Sequence, residues 1–325
     1  MRGSSAWISK WQKNNAGIFL GVTKTTKIEP GAAMTGEKFI DVDGVRTRYF
    51  DKGVGPVVVL FHGGHFGSND AADCAEDWGL NFDGLAKWFH VYALDKIGQG
   101  HTDNPKTDAD YTISTVVQHA YRFLKALDLR NVHPVGHSRG AYLVARLTLE
   151  HPELFRSCIL ADTNTLAPGI SKNETVMANP PLPRLSRESQ RWVLQRYSFA
   201  FEHITEEWLD AMMRIAALQK YQEAVTKMET AGLRTIRFLP HLARQKDETL
   251  GWIRERGLVK PTLLVWGYND PTATLDQGQA LFDLIARSTP DSRMQVFNRA
   301  GHFTYREHPV EFNELLRSFI QRNSG

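Results

Sequence analysis

Short apolar segments alternate with helical patterns along most of the chain. Val57–Phe61 is a β-branched apolar run, typical of a strand buried on both faces, and Val91–Asp95 repeats this pattern. The Asp43-Gly44 pair lies between two alternating runs and is typical of a two-residue hairpin turn. The remaining strand patterns, including the two that flank this turn, are Phe39–Val42, Val45–Asp51, Val132–Val135, Cys158–Ala161, Thr262–Trp266 and Met294–Phe297. The helical patterns between and after them are Tyr111–Leu127, Ala141–Leu149, Ala280–Ile285 and Val310–Ile320. This alternation predicts an α/β fold in which helices cover both faces of a mostly parallel, eight-stranded sheet.

One stretch, residues 168–255, interrupts the alternation because it contains no clear strand pattern. It opens with a proline-rich loop and continues with the helical patterns Thr205–Leu218, Lys220–Met228 and Glu248–Arg256. A helical block after the sixth strand predicts a lid over the C-terminal edge of the sheet, inserted into a core of residues 36–167 and 256–325. Residues 1–35 are polar and lack sustained periodicity, so they are interpreted as an N-terminal extension.

The charge balance of the chain is close to neutral. Its 325 residues include 39 Lys and Arg and 36 Asp and Glu, so it lacks the excess of basic residues that a nucleic-acid partner needs. The longest apolar run, Pro56–Phe61, is far shorter than the roughly 20 residues of a membrane helix, and the N-terminus has no apolar signal-peptide core. Two cysteines, Cys74 and Cys158, are too few for a disulfide framework or a structural zinc site. We therefore expect a cytoplasmic protein that acts on a small molecule, without membrane or nucleic-acid partners. Whether it forms a homo-oligomer stays open.

The segment Gly136–Gly140 has the sequence Gly-His-Ser-Arg-Gly between a predicted strand and a predicted helix. This is the G-x-S-x-G nucleophile elbow in the structural context that it requires. The sharp turn exposes the Ser138 hydroxyl at the end of the strand, while the two glycines let strand and helix pack closely. The helix N-terminus also presents unpaired N–H groups to a developing negative charge. The pattern predicts Ser138 as a catalytic nucleophile.

A serine nucleophile needs a base, and the base needs an acid that orients it. His302 follows the predicted strand Met294–Phe297, and Asp270 follows Thr262–Trp266. Both residues therefore belong to loops at the sheet edge where Ser138 is expected. The chain order Ser138, Asp270, His302 is also the order that this fold uses for its catalytic triad.

Glycines after the strand Val57–Phe61 predict the second half of an oxyanion hole. We assign its two donors to the amides of Gly64 and Arg139, the latter because the residue after the nucleophile donates in such sites. Pairs of histidines nearby do not predict a metal site. His133 and His137 are separated by a strand and a turn, and the pair in His62–His65 has no third ligand in the pattern.

From about Phe39 to Gln321 the chain resembles the α/β-hydrolase superfamily, and within it the meta-cleavage-product hydrolases of aromatic degradation. The resemblance rests on the segments His62-Gly63-Gly64, Gly136–Gly140, Ile204–Glu207, Trp266-Gly267-x-x-Asp270, Gly301-His302 and Glu311-Phe312-Asn313. It implies hydrolysis of the C5–C6 bond of a 2-hydroxy-6-oxohexa-2,4-dienoate, with Ser138 attacking the 6-oxo carbon, His302 as base and then acid, and Asp270 orienting it. No metal or organic cofactor is implied.

Several positions depart from the pattern of that family. His137 stands where the family commonly has Asn, and Phe303 where it commonly has Trp. The family's lid helix carries an Arg that binds the substrate carboxylate, but that slot holds Met212 here, and Arg214 lies two residues further on. Arg139 is the alternative partner for the carboxylate, although Arg214 is favoured because it lies on the matching helix. The segment His65–Gly79 is also longer than usual. The residues predicted to bind substrate are Gly63, His65, His137, Arg214 and Phe303.

Two other functions use the same residues. A carboxylesterase or lactonase would need the same triad, and a silent ligand receptor could retain it. Dehalogenases and epoxide hydrolases of this fold use an Asp nucleophile, so Ser138 counts against them.

Overall fold

Eight strands form a single sheet in the computed structural model, which describes residues 33–324 of the chain. The strands are β1 (Lys38–Val42), β2 (Val45–Lys52), β3 (Val57–Phe61), β4 (His90–Leu94), β5 (His133–His137), β6 (Cys158–Ala161), β7 (Thr262–Gly267) and β8 (Ser292–Phe297). Their order across the sheet is β1-β2-β4-β3-β5-β6-β7-β8. All eight coincide with predicted strands to within about three residues, and the predicted α/β sheet is confirmed. The proposed extension over residues 1–35 lies almost wholly outside the described residues.

The direction of each strand follows from the length of its connection. β1 and β2 form an antiparallel hairpin in which Val42 pairs with Val45 across the predicted Asp43-Gly44 turn. Both turn residues have positive φ, as this tight turn demands. β2 also pairs antiparallel with β4, whereas every pairing from β4 to β8 is parallel. The loops that follow β3, β5, β7 and β8 therefore meet at one edge of the sheet.

Helices cover the two faces of the sheet, as the alternation predicts. Within residues 33–324 the α-helices are α1 (Phe82–Leu85), α2 (Ile113–Ala126), α3 (Arg139–Glu150), α4 (Asn173–Val176), α5 (Arg187–Tyr197), α6 (Glu206–Ala216), α7 (Gln219–Val225), α8 (Leu239–Arg256), α9 (Leu275–Ala286), α10 (Thr304–Glu307) and α11 (Pro309–Arg322). One buried apolar cluster joins α2, α3, α8 and α9 to one face of the sheet, and a second joins α1, α5, α6 and α11 to the other. None of these helices is both long and apolar enough to cross a bilayer.

The segment between β6 and β7 is helical, with α4 to α8 in chain order. Three of these helices differ from the prediction. The single turn α4 buries no side chain and so has no apolar pattern. α5 was missed because two of its four buried positions, Ser189 and Gln190, are polar and hide its apolar spacing. α8 begins at Leu239 instead of Glu248, with Pro240 in the first turn, where a missing N–H costs nothing. Both halves of this segment contribute side chains to the cavity described below, among them Tyr197 and Arg234.

Candidate active site

Ser138 occupies the sharp turn between β5 and α3. Its backbone has φ 54° and ψ −118°, a conformation that costs energy for a residue with a side chain. The chain passes this turn only because both flanking positions are glycine. A Cβ atom on Gly136 would overlap the carbonyl of Gly140, and one on Gly140 would overlap the carbonyl of Phe61. The strained elbow predicted from the motif is therefore present in the backbone.

His302 and Asp270 are paired below this turn. The Nδ1 atom of His302 lies 2.6 Å from Oδ2 of Asp270, and both residues are buried. Burial lowers the pKa of His302, but the charge and hydrogen bond of Asp270 raise it by more than burial lowers it. The pKa of His302 therefore lies above the ordinary histidine value. Because a carboxylate only accepts hydrogen bonds, Nδ1 carries a proton, and Nε2 is the nitrogen left to act as a base.

The second oxygen of Asp270 is held by three donors. Oδ1 accepts hydrogen bonds from the amide of Thr272 at 2.8 Å, the hydroxyl of Thr272 at 3.0 Å and the amide of Ala273 at 2.8 Å. These bonds stabilise the carboxylate and fix its orientation, so that Oδ2 alone faces the imidazole.

Two residues outside the predicted site hold the His302 loop against the helices over the sheet edge. The ring of Tyr197, at the end of α5, stacks on the imidazole of His302 at 4.9 Å, and the Tyr197 carbonyl accepts the His302 amide at 2.8 Å. Glu307 accepts the amide of Gly301 at 2.7 Å with one oxygen and the amides of Phe199 and Ala200 with the other. Neither residue belongs to a motif. An acid five residues after the candidate base is the one signal that points to Glu307.

A third missed residue, Asp162, follows β6 and lies between the loops of the acid and the base. One of its oxygens accepts the amide of Gly267 at 2.8 Å, and the other accepts the amide and the hydroxyl of Thr304. It is completely buried and has a positive φ of 47°. It thus ties the end of β7 to the segment after His302. Its position directly after a predicted strand is the sequence signal that points to Asp162.

The two predicted oxyanion donors face a common space. Gly64 has a φ of 66°. Its carbonyl accepts a hydrogen bond from the buried ammonium of Lys96 at 3.0 Å. Arg139 is the first residue of α3, where a backbone N–H has no partner within its helix. Neither amide is bonded within the part of the chain that the structure describes, so both are free to stabilise an oxyanion.

These groups surround a cavity of about 450 Å³. Of the predicted residues, those that line it are Gly64, His65, His137, Ser138, Arg139, His302 and Phe303. Asp270 lies directly behind His302. The structure therefore brings the three predicted catalytic residues and both oxyanion donors together, while their catalytic roles remain predictions.

His137 lines the cavity but is a weak base with no carboxylate in the described part of the chain to orient it. Its Nε2 lies 2.8 Å from the carbonyl of His302, so Nε2 must carry the proton, and burial lowers the pKa of the ring well below the ordinary value. The Nδ1 atom has no partner among the described residues. His65 is likewise kept neutral by burial, and its Nδ1 lies 2.9 Å from the carbonyl of Phe66.

Two predicted substrate contacts do not reach the cavity. The prediction for Arg214 is wrong, because its side chain is on the exposed face of α6, while the family slot at Met212 is buried. The two-residue offset rotates Arg214 by about 200° around the helix, and α6 does not shift to compensate. Gly63 does not line the cavity either, and its carbonyl accepts a hydrogen bond from Gln99 at 3.2 Å.

Cationic side chains enter the cavity from elsewhere. Arg139 lies on its wall, and its Nε is buried without a partner among the described residues. Burial lowers the pKa of Arg139, and the nearby groups Tyr197, Asp73 and Asp70 oppose this shift in part. Arg234 also lines the cavity and donates to Glu174 at 2.8 Å. Lys246 is the third cationic residue of the lining, and its ammonium lies 3.4 Å from the carbonyls of Asn164 and Gly169.

The family model of the alpha/beta hydrolase fold matches residues 56–309. The chain belongs to this family. It is 27% identical over 300 residues to the 2-hydroxy-6-oxo-6-(2'-aminophenyl)hexa-2,4-dienoic acid hydrolase of Metapseudomonas resinovorans, which covers 89% of this chain and 92% of that one. It is 26% identical over 279 residues to the 2-hydroxymuconate semialdehyde hydrolase of Pseudomonas sp. (strain CF600), covering 85% and 91% of the two chains. A meta-cleavage product hydrolase from Pseudomonas fluorescens IP01 superposes with a TM-score of 0.71 at 25% identity, over 88% of this chain and 97% of that structure. The predicted resemblance to meta-cleavage-product hydrolases is confirmed.

Proposed function

We propose that the protein is a serine hydrolase that cleaves the C5–C6 bond of a 2-hydroxy-6-oxohexa-2,4-dienoate in the degradation of aromatic compounds. The supporting observation is the unpartnered Arg139 guanidinium in the same cavity as Ser138, His302 and the two free amides. A guanidinium without an ion-pair partner in a cavity favours an anionic ligand, and the substrate of this reaction carries a carboxylate at the end remote from the bond that breaks.

In the proposed reaction the dienol is first ketonised, which places a CH2 group at C5 beside the 6-oxo carbon. Nε2 of His302 then removes the proton of Ser138, whose Oγ attacks the 6-oxo carbon, and the amides of Gly64 and Arg139 stabilise the oxyanion. Asp270 stabilises the imidazolium that forms.

Collapse of the oxyanion breaks the C5–C6 bond. The electron pair passes through the C3–C4 double bond to the 2-oxo group. His302 returns the proton that it took from Ser138 to this fragment, which leaves as a 2-hydroxypenta-2,4-dienoate, and His302 is again neutral. The acyl group remains on Ser138. A water molecule, deprotonated by His302, releases it as a carboxylic acid and restores the serine.

The test uses the visible absorbance of the dienoate, which disappears on cleavage. We expect the wild-type enzyme to bleach a 6-phenyl dienoate. Arg139→Ala should lower kcat/KM for this substrate by about 10- to 100-fold, because a charge-assisted bond to the carboxylate is lost. Its effect on a neutral p-nitrophenyl ester should be much smaller. The matched control is Arg214→Ala, which removes the same charge from the exposed face of α6 and should leave both rates unchanged. Absence of bleaching by the wild type would overturn the proposal.

A carboxylesterase or lactonase is the second candidate. The observation that favours it is the position of Arg214, the sole cationic residue of α6, which leaves the lid helix without an inward cation. Equal loss of dienoate and ester turnover in Arg139→Ala, with the ester as the faster substrate, would support this function instead.

A further inference from the structure

Asp73 lies in the long segment His65–Gly79 and lines the catalytic cavity. Its carboxylate packs directly against Gly64, since a Cβ atom on Gly64 would overlap Oδ2 of Asp73. Gly64 is one of the two proposed oxyanion donors. The Asp73 carboxylate therefore lies beside the position that the substrate carbonyl would occupy.

This carboxylate lacks the partners that the other acid of the segment has. Asp70 also lines the cavity, but it forms an ion pair with Arg184 at 2.5 Å. Asp73 is bonded only to its own backbone within residues 33–324. Burial raises the pKa of Asp73, and the nearby charges of Lys96 and Arg139 oppose this shift, although neither forms an ion pair with it. A carboxylate inside a cavity costs free energy unless a hydrogen-bond donor lies against it.

A negative charge beside an oxyanion hole also opposes the reaction, so its presence needs a reason. Lys96 offsets this charge in part, and its ammonium donates a hydrogen bond to the Gly64 carbonyl at 3.0 Å. Burial lowers the pKa of Lys96 to about 7, although Asp73 raises it. An N–H or O–H group of the bound ligand can stabilise the part of the Asp73 charge that Lys96 leaves uncompensated.

The attacked carbon of the substrate carries two substituents, the dienoate chain and the acyl group. Only the acyl group can lie beside the Asp73 carboxylate without charge repulsion. The dienoate chain ends in a carboxylate, which a second carboxylate would repel. The acyl group is neutral and adjoins the carbonyl oxygen. We propose that Asp73 accepts a hydrogen bond from an amino or hydroxyl substituent on the acyl group, so that the enzyme selects acyl groups with a donor near the carbonyl. This inference rests on the proposed function for the identity of the two substituents.

The experiment compares three dienoates whose 6-aryl group is 2-aminophenyl, 2-methylphenyl or phenyl. The methyl compound has the size of the amine without its donor, so it controls for steric effects. In Asp73→Ala we expect the kcat/KM ratio of amino to methyl substrate to fall about ten-fold or more relative to the wild type, because a hydrogen bond to a charged acceptor is lost. Comparison of the ratio between enzymes cancels the intrinsic reactivities. Asp73→Asn, which keeps one acceptor oxygen, should restore part of the preference.

Asp70→Asn is the matched control, since it removes the same charge from the same wall and should leave the amino preference unchanged. An amino-to-methyl ratio that is the same in the wild type, Asp73→Ala and Asp73→Asn would overturn the inference. If the wild type bleaches no dienoate, the proposed function fails separately. The same acyl groups are then supplied as p-nitrophenyl 2-aminobenzoate and 2-methylbenzoate, and loss of the amino preference in Asp73→Ala would still support the role of Asp73.

Discussion

Replacement of Asp270 by Asn tests whether the orientation of His302 is set by the carboxylate. The amide has nearly the shape of the carboxylate, but one of its two ends is a donor. If its oxygen keeps the amides of Thr272 and Ala273, its NH2 group faces Nδ1 of His302. Nδ1 must then accept, the imidazole proton moves to Nε2, and the base can no longer take the proton of Ser138.

The opposite orientation of the amide is too costly to rescue the enzyme. It would place the NH2 group against two buried backbone N–H donors, and each donor left without a partner costs about 1–3 kcal/mol. The Asn variant should therefore hold the wrong tautomer while remaining folded. From the effect of the same change in other triads, kcat should fall about 10,000-fold, or about 5 kcal/mol.

The assay is steady-state turnover of a dienoate or a p-nitrophenyl ester, together with thermal unfolding to show that the variant is folded. Thr272→Val is the matched control, because it removes a hydroxyl that lies 3.0 Å from Oδ1 of Asp270 and 3.4 Å from Nδ1 of His302 but keeps both backbone donors. It should lower kcat by no more than about ten-fold, the scale of one hydrogen bond. An Asn variant that keeps a tenth of wild-type kcat would refute the assignment of Asp270.

Three further predictions concern the other parts of the site. Ser138→Ala should lower kcat by at least about 1,000-fold without changing the unfolding temperature by more than a few degrees, and residual activity of a tenth would exclude Ser138 as the nucleophile. Asp270 raises the pKa of His302, and only the neutral imidazole acts as a base. Therefore kcat/KM should fall with decreasing pH around an apparent pKa above about 6.5. An apparent pKa below that value would contradict the pairing of His302 with Asp270. Gly140→Ala should destabilise the fold by about 1–3 kcal/mol in urea unfolding, because its Cβ overlaps the Phe61 carbonyl, whereas Gly251→Ala, in open space on α8, should not destabilise it.

Most of the fold could be predicted from the sequence because its signals are local. A buried strand needs a short β-branched run, a tight hairpin needs residues that tolerate positive φ, and the elbow needs glycines around its serine. Each of these demands is met within about ten residues of chain. The position of Ser138, Asp270 and His302 at one edge also followed, because parallel strands bring their C-terminal ends together.

The sequence was less informative about the segment between β6 and β7. Apolar spacing identified α6, but α5 buries polar side chains and was missed. Arg214 shows the limit of alignment by motif, because two residues of offset change the face of a helix. Which cation reaches the cavity depends on the rotation of α6 about its axis, and that rotation is set by packing against the core.

The sequence by itself determined the sheet, the elbow and the order of the candidate triad, since each depends on neighbours in the chain. The tertiary structure alone decided which side chains complete the site. Tyr197, Glu307 and Asp162 contact the His302 loop from three different elements, and Asp73 reaches Gly64 from a long loop. Such contacts join residues up to about 140 positions apart. They arise from the packing of whole elements, so a local pattern can mark a residue such as Glu307 or Asp162 but cannot give the partner that it contacts.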